Sequence, residues 1–140
     1  MPNESIYKSA KISLVNKQAT LELGAEFKNV DLITEQKNIN SLFSIYDNCI
    51  ILIAALWSGA DRMSIKLTLQ ASEFYPNQNF KIKGYDKADE IKDFLYPGYS
   101  TKELFSPTYL FIQSGKLLIK ESGKIYNMES LREKIKEIFK

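Results

Sequence analysis

The 140 residues contain no histidine and a single cysteine, Cys49. The first absence removes the side chain that most often serves as a general base or a transition-metal ligand near neutral pH. The second excludes an internal disulfide and any reaction that cycles two thiols within one chain. Charge of one sign is equally scarce, since 19 basic and 17 acidic residues leave a formal charge of only +2. That balance cannot raise the strong positive field on which phosphate-backbone binding depends, so nucleic acid is not expected as a partner. Long apolar runs are missing too. The longest, Ile50 to Trp57, falls far short of the roughly 20 residues of a membrane-spanning helix. The opening Met1-Pro2-Asn3-Glu4-Ser5 has no basic stretch leading into an apolar one. No membrane association is expected, and the cytoplasm is the expected location.

What is present suits one soluble domain. Hydrophobic residues make up 44% and charged residues 26%, the balance of a globular chain. A domain of this length buries about two thirds of the surface its unfolded chain exposes, enough for one core without staples. Ile12 to Val15 and Ala19 to Leu23 alternate around Asn16-Lys17-Gln18, which predicts a hairpin closed by Gly24. Val30 to Ile33 predicts a short strand. Thr34 then opens a predicted helix whose Ile39, Leu42, Phe43 and Tyr46 share one face. The continuous apolar run from Cys49 to Trp57 predicts a central strand covered on both faces.

Beyond it, Ser58-Gly59-Ala60-Asp61 places a capping residue three positions before an acid, predicting a helix start in which both side chains serve the cap. Met63, Leu67, Ala71 and Phe74 then mark an apolar face, and Tyr75-Pro76-Asn77 ends the helix. Phe80 to Tyr85 predicts a strand and Asp86 to Leu95 a short helix broken at Pro97-Gly98. Thr108 to Ile112 and Leu117 to Ile119 predict a hairpin around Gly115. A last helix starts at the cap Asn127 and carries Met128, Leu131, Ile135 and Ile138 on its apolar side. The acids interleaved through 120–140 mark its other side as a solvated face.

This order of elements implies an α/β fold with a mixed sheet between helices. Two stretches sharpen it. Ile50 to Arg62 resembles the central strand of thioredoxins running into their Trp-Cys-Gly-Pro-Cys-Lys motif, with Trp57 and Gly59 kept. Ser106 to Lys116 is similar to their Pro-Thr, strand, turn-glycine segment, followed at the familiar interval by Gly123. The resemblance covers about 28–140 and implies a thioredoxin-like domain there, preceded by an N-terminal extension at 1–27. It also implies a cis peptide before Pro107.

Both motif cysteines are replaced, by Ser58 and Asp61. Dithiol exchange needs a low-pKa thiolate and a second thiol to resolve the mixed disulfide, and neither an alcohol nor a carboxylate can stand in. The resemblance also places Leu52 and Ile82 where thioredoxins carry a buried carboxylate and a lysine. The lone Cys49, at the start of a buried strand, is expected to pack as a small hydrophobe. The resemblance therefore implies a redox-inactive member with no catalytic residues, no cofactor and no metal. Its expected role is to bind a protein or extended peptide at the former active-site face, through Trp57, Ser58, Gly59, Ala60, Ser106 and Pro107. Two alternatives stand beside it: glutathione binding or transferase-like activity using Ser58, and a structural or assembly role for the N-terminal extension. Oligomeric state is left open.

Overall fold

A computed structural model of the chain describes residues 3–33, 48–87 and 106–139. The helix expected at 34–46, most of that expected at 86–95, and its break at Pro97-Gly98 lie outside the described residues. Five strands form one sheet in the order β4-β6-β5-β7-β8, where β4 is Val30–Leu32, β5 is Cys49–Ala55, β6 is Asn79–Tyr85, β7 is Thr108–Gln113 and β8 is Lys116–Ser122. The pairs β4/β6 and β5/β6 are parallel, and β5/β7 and β7/β8 are antiparallel. The last turn needs two residues at positive φ, Ser114 at 53° and Gly115 at 75°, the backbone of a tight hairpin turn. The two described helices are α1, Gly59–Phe74, and α2, Met128–Ile138.

Every residue of β5 is buried, as a strand covered on both faces requires. Its alternation divides the interior. Ile50, Leu52 and Ala54 join Ile65 and Leu69 of α1 and Leu131 and Ile135 of α2 on one side of the sheet, and Cys49, Ile51, Ile53 and Ala55 join Leu110, Ile112 and Tyr85 in a second cluster. Fully burying an isoleucine contributes about 1.5–3 kcal/mol. Truncating Ile51 or Ile53 to alanine would cost about 2–5 kcal/mol, the lost transfer energy plus the cavity left after partial relaxation.

Helix α1 buries only part of the expected face, with Ala71 buried and Leu67 half-buried against the core. Met63 and Phe74 are exposed, and the buried stripe is Asp61, Ser64, Ile65, Thr68, Leu69, Ala71 and Ser72. The reason is that small hydroxyl residues lie against the sheet with their polar atoms satisfied. Thr68 Oγ1 donates to the Ser64 carbonyl at 2.8 Å, and Ser72 Oγ donates to the Leu69 carbonyl at 2.6 Å. From β7, the Tyr109 hydroxyl lies 2.8 Å from Thr68 Oγ1 and 3.3 Å from the Ser64 carbonyl. By contrast, α2 buries Leu131 and Ile135 and half-buries Met128 and Ile138, the face its sequence predicts.

The N-terminal hairpin is present and gains a third strand, giving an antiparallel sheet β1-β2-β3 with β1 at Asn3–Tyr7, β2 at Ala10–Val15 and β3 at Gln18–Glu22. Ala10, Ile12 and Phe27 pack in the same cluster as the five-stranded sheet and both helices. Polar ties reinforce this packing. The Tyr7 hydroxyl donates to Glu73 at 2.6 Å and Lys8 reaches the same carboxylate at 3.0 Å. Asn29 Nδ2 lies 3.0 Å from each of the Ser72, Tyr75 and Gln78 carbonyls, where α1 ends.

Candidate functional site

The C-terminal ends of β5 and β6, the start of α1 and the segment before β7 converge. Ala55 pairs with Tyr85, and the Leu56 N–H donates to the Tyr85 carbonyl at 2.8 Å. The chain then turns through Trp57 into α1. Trp57 is 65% exposed, with its indole N–H held at 3.0 Å by the Asp86 carbonyl. Asp86 in turn accepts the Ala19 N–H of β3 at 3.2 Å. The N-terminal sheet thus braces the residue that holds the tryptophan.

Ser58 stands at the N-cap with extended backbone, φ −92° and ψ 130°, and its carbonyl accepts the Arg62 N–H at 2.9 Å. Its hydroxyl makes no capping bond. The expected cap is absent at the side-chain level on both halves, and the Ser58 N–H, which Asp61 would have bonded, donates to the Ala55 carbonyl at 3.3 Å. Instead of reaching outward to the cap, the Asp61 carboxylate is drawn under the helix start, 1% exposed, where it accepts the Ala55 N–H at 2.6 Å. It still lies in the first turn, where a negative charge complements the helix dipole. Gly59 and Ala60 are exposed.

Just before β7, the Ser106–Pro107 bond is cis, Ser106 is half-buried and Pro107 is buried. The Pro107 carbonyl is taken by the Gly123 N–H at 2.8 Å. One residue that the motif reading did not single out joins the two halves. Burial pushes the Tyr85 phenol above its ordinary pKa, while its hydrogen bond with the Ser106 side chain opposes that push and the Asp61 charge adds to it. Tyr85 thus connects the start of α1 with the residue before the proline. The signal available for it was its place as the last residue of a predicted strand, beside the strand that ends at the motif.

The structure sets Leu52 directly opposite Ile82 in the β5/β6 ladder, both fully buried. Two apolar side chains therefore meet at the positions where the resemblance expects a carboxylate and a lysine. Cys49 is buried at the other end of β5, six residues from Ala55 and so about 20 Å away along the strand. Among the described residues no group of three His, Cys, Asp or Glu side chains is placed to share a metal ion. No helix among them is long and apolar enough to cross a membrane.

This architecture is the thioredoxin fold, and solved structures bear out the assignment. The chain is similar to thioredoxin from Trypanosoma brucei brucei, with a TM-score of 0.61 and 18% identity over 84% of this chain and 96% of that one. Oxidised thioredoxin from Plasmodium falciparum superposes with a TM-score of 0.57 and 19% identity, covering 77% of this chain and 96% of that one. Mitochondrial thioredoxin 3 from Saccharomyces cerevisiae gives 0.55 and 21%, covering 79% and 97%. No family model matches the chain, nor does any curated protein. At these identities the likeness establishes the fold alone.

Proposed function

We propose that this chain binds a protein or an extended peptide at the Trp57–Pro107 face and carries out no thiol–disulfide exchange. The observation that carries the reading is Asp61. A buried carboxylate, bonded to the Ala55 amide, stands where exchange would need the resolving thiol, three residues after a serine at the attacking position. The lone thiol is sealed in the core at the far end of the strand. A thiol buried there lacks the exposure that makes cysteines reactive.

The same face keeps what an extended chain would use. Trp57 is exposed, but its indole is fixed by Asp86, so little rotamer freedom is lost when a partner covers it. Gly59 and Ala60 give a low, open floor, and Ser106, half-buried before the cis proline, supplies the edge. Thioredoxins present this segment's backbone to a substrate strand, and pairing of that kind needs no sulfur. The N-terminal sheet commits apolar residues to the shared core, which favours a bracing role over an assembly surface.

Two measurements test the reading. In an insulin-reduction assay with dithiothreitol, the chain should add nothing to the uncatalysed turbidity, and a thioredoxin-like rate would overturn the redox half. Peptides selected on the chain from a displayed library should bind Trp57→Ala about tenfold more weakly, as expected for an aromatic anchor. Unchanged binding would remove this face from the proposal.

A further inference from the structure

Helix α1 leaves apolar side chains outside the core, and they are not scattered. Met63, 72% exposed, faces Ile125, 62% exposed, across a groove between α1 and the start of α2. Ala60 and Leu67 extend the apolar lining on one wall beside Ser64 and Gln70, and Tyr126 and Met128 extend it on the other beside Asn127. Its volume of about 440 Å³ falls within the roughly 300–1,000 Å³ range of ligand pockets. Ala60 belongs to both this groove and the Trp57–Pro107 face, so the two form one continuous surface.

Charge along the groove has mainly one sign. Lys66 is the one charged side chain among the described residues that line it. Lys124 flanks it with Nζ 4.9 Å above the Tyr126 ring. Arg62 sits at the Ala60 end, its Nε donating to the Leu56 carbonyl at 2.8 Å. On the acidic side, Asp61 is turned inward to Ala55, Glu129, in the first turn of α2, is exposed, and Glu121 and Glu137, whose charges reach Tyr126, are paired with Lys134 at 3.8 and 4.0 Å. A second copy docked by a two-fold axis would set these cations against their own copies, which like-charge repulsion opposes. A segment carrying apolar and acidic side chains meets both features at once.

We infer that a peptide bound at the Trp57–Pro107 face continues over Ala60 into this groove, and that the groove selects an apolar side chain flanked by acidic ones. This rests on the proposed peptide-binding role and names the class of partner for it. Apolar burial against Met63 and Ile125 supplies the attraction, and Lys66 and Lys124 supply the discrimination between acidic and basic flanks.

The test uses the full chain and three capped octapeptides on a serine background, followed by calorimetry. One carries two leucines and two glutamates, the second replaces its glutamates with lysines, and the third replaces its leucines with serines. The leucine–glutamate peptide should bind about tenfold tighter than either control, a gap that apolar burial and two rim charges together can reach. Met63→Glu should abolish the advantage of leucine. Lys66→Glu combined with Lys124→Glu should invert the preference between glutamate and lysine. All three positions are exposed, so circular dichroism should show an intact fold. Equal binding of the three peptides overturns the inference, as does a preference that survives these changes. If Trp57→Ala weakens binding while the groove variants do not, the groove falls and the peptide face stands. If Trp57→Ala weakens none of the peptides either, both fall together.

Discussion

Helices α1 and α2 begin with the same kind of sequence and use it differently. At α2, Asn127 Oδ1 accepts the Ser130 N–H at 2.8 Å while the Asn127 N–H donates to Ser130 Oγ at 3.0 Å, a closed reciprocal cap. At α1, Ser58 holds the cap backbone with no capping bond from its hydroxyl, and Asp61, three residues on, bonds the end of β5 instead. The faces below differ as well. Leu131 and Ile135 seat α2 by apolar contact, whereas Ser64, Thr68 and Ser72 are among the residues that seat α1. One helix start is arranged to stabilise its helix. The other ties the helix to the strand beneath it and keeps Gly59 and Ala60 at the surface, as the proposed binding face requires.

The largest expected effect sharpens the contrast between the two seats. Burial pushes the Tyr109 phenol up to about 12, with hydrogen bonds from the Thr68 and Ser64 side opposing the push. In the unfolded chain the same phenol ionises near 10.0. Above that pH the unfolded state gives up a proton that the folded state keeps, so stability is full below pH 10 and falls as pH rises through about 12. The loss attached to this phenol is about 2–3 kcal/mol. Tyr109→Phe should cost about 1 kcal/mol at neutral pH, from the lost hydrogen bonds, and should flatten the alkaline fall in urea midpoints. An unchanged alkaline slope would mean that the polar seat of α1 has been misjudged.

Next in size is Asp61. Asp61→Ala leaves the buried Ala55 N–H without its acceptor, a cost of about 1–3 kcal/mol, and Asp61→Asn should recover part of it. Asn127→Ala removes an ordinary cap and should cost about 1 kcal/mol. Urea denaturation of the three variants ranks them. If Asn127→Ala proved the costlier of the two alanine changes, the distinction between the helix starts would fail.

The sequence carried the fold where side-chain class and backbone role coincide. The unbroken apolar run of β5, the glycine turn after β7 and the period of α2 each have one structural reading. The buried face of α1 was hidden for the opposite reason. Serine and threonine count as polar in any periodicity, yet in a helix they satisfy their hydroxyls on carbonyls of the preceding turn and can then be buried. Strand β1 was missed because its apolar content, Ile6 and Tyr7, is too short to show alternation. At the candidate site, Trp57, Ser58 and Asp61 were singled out by position in a motif, but their contacts were not legible. Where Asp61 turns depends on the Ala55 amide at a strand end, and the part played by Tyr85 depends on two strands and a loop meeting in space. The groove beside Ala60 was likewise invisible, because Met63 reads as core in any helical period.

The smallest expected effect is the most discriminating. Ser58→Ala removes the only hydroxyl in the Ser58–Asp61 turn. If that hydroxyl were a cap like the one at α2, the loss would match Asn127→Ala at about 1 kcal/mol. Since it makes no capping bond, the change should stay within about 0.5 kcal/mol, as for a substitution that breaks no specific contact. Equal urea midpoints for wild type and Ser58→Ala, measured beside a lowered midpoint for Asn127→Ala, would separate the two helix starts by what their cap side chains do. A Ser58→Ala loss as large as that of Asn127→Ala would instead return Ser58 to a structural role and leave Asp61 alone to distinguish α1.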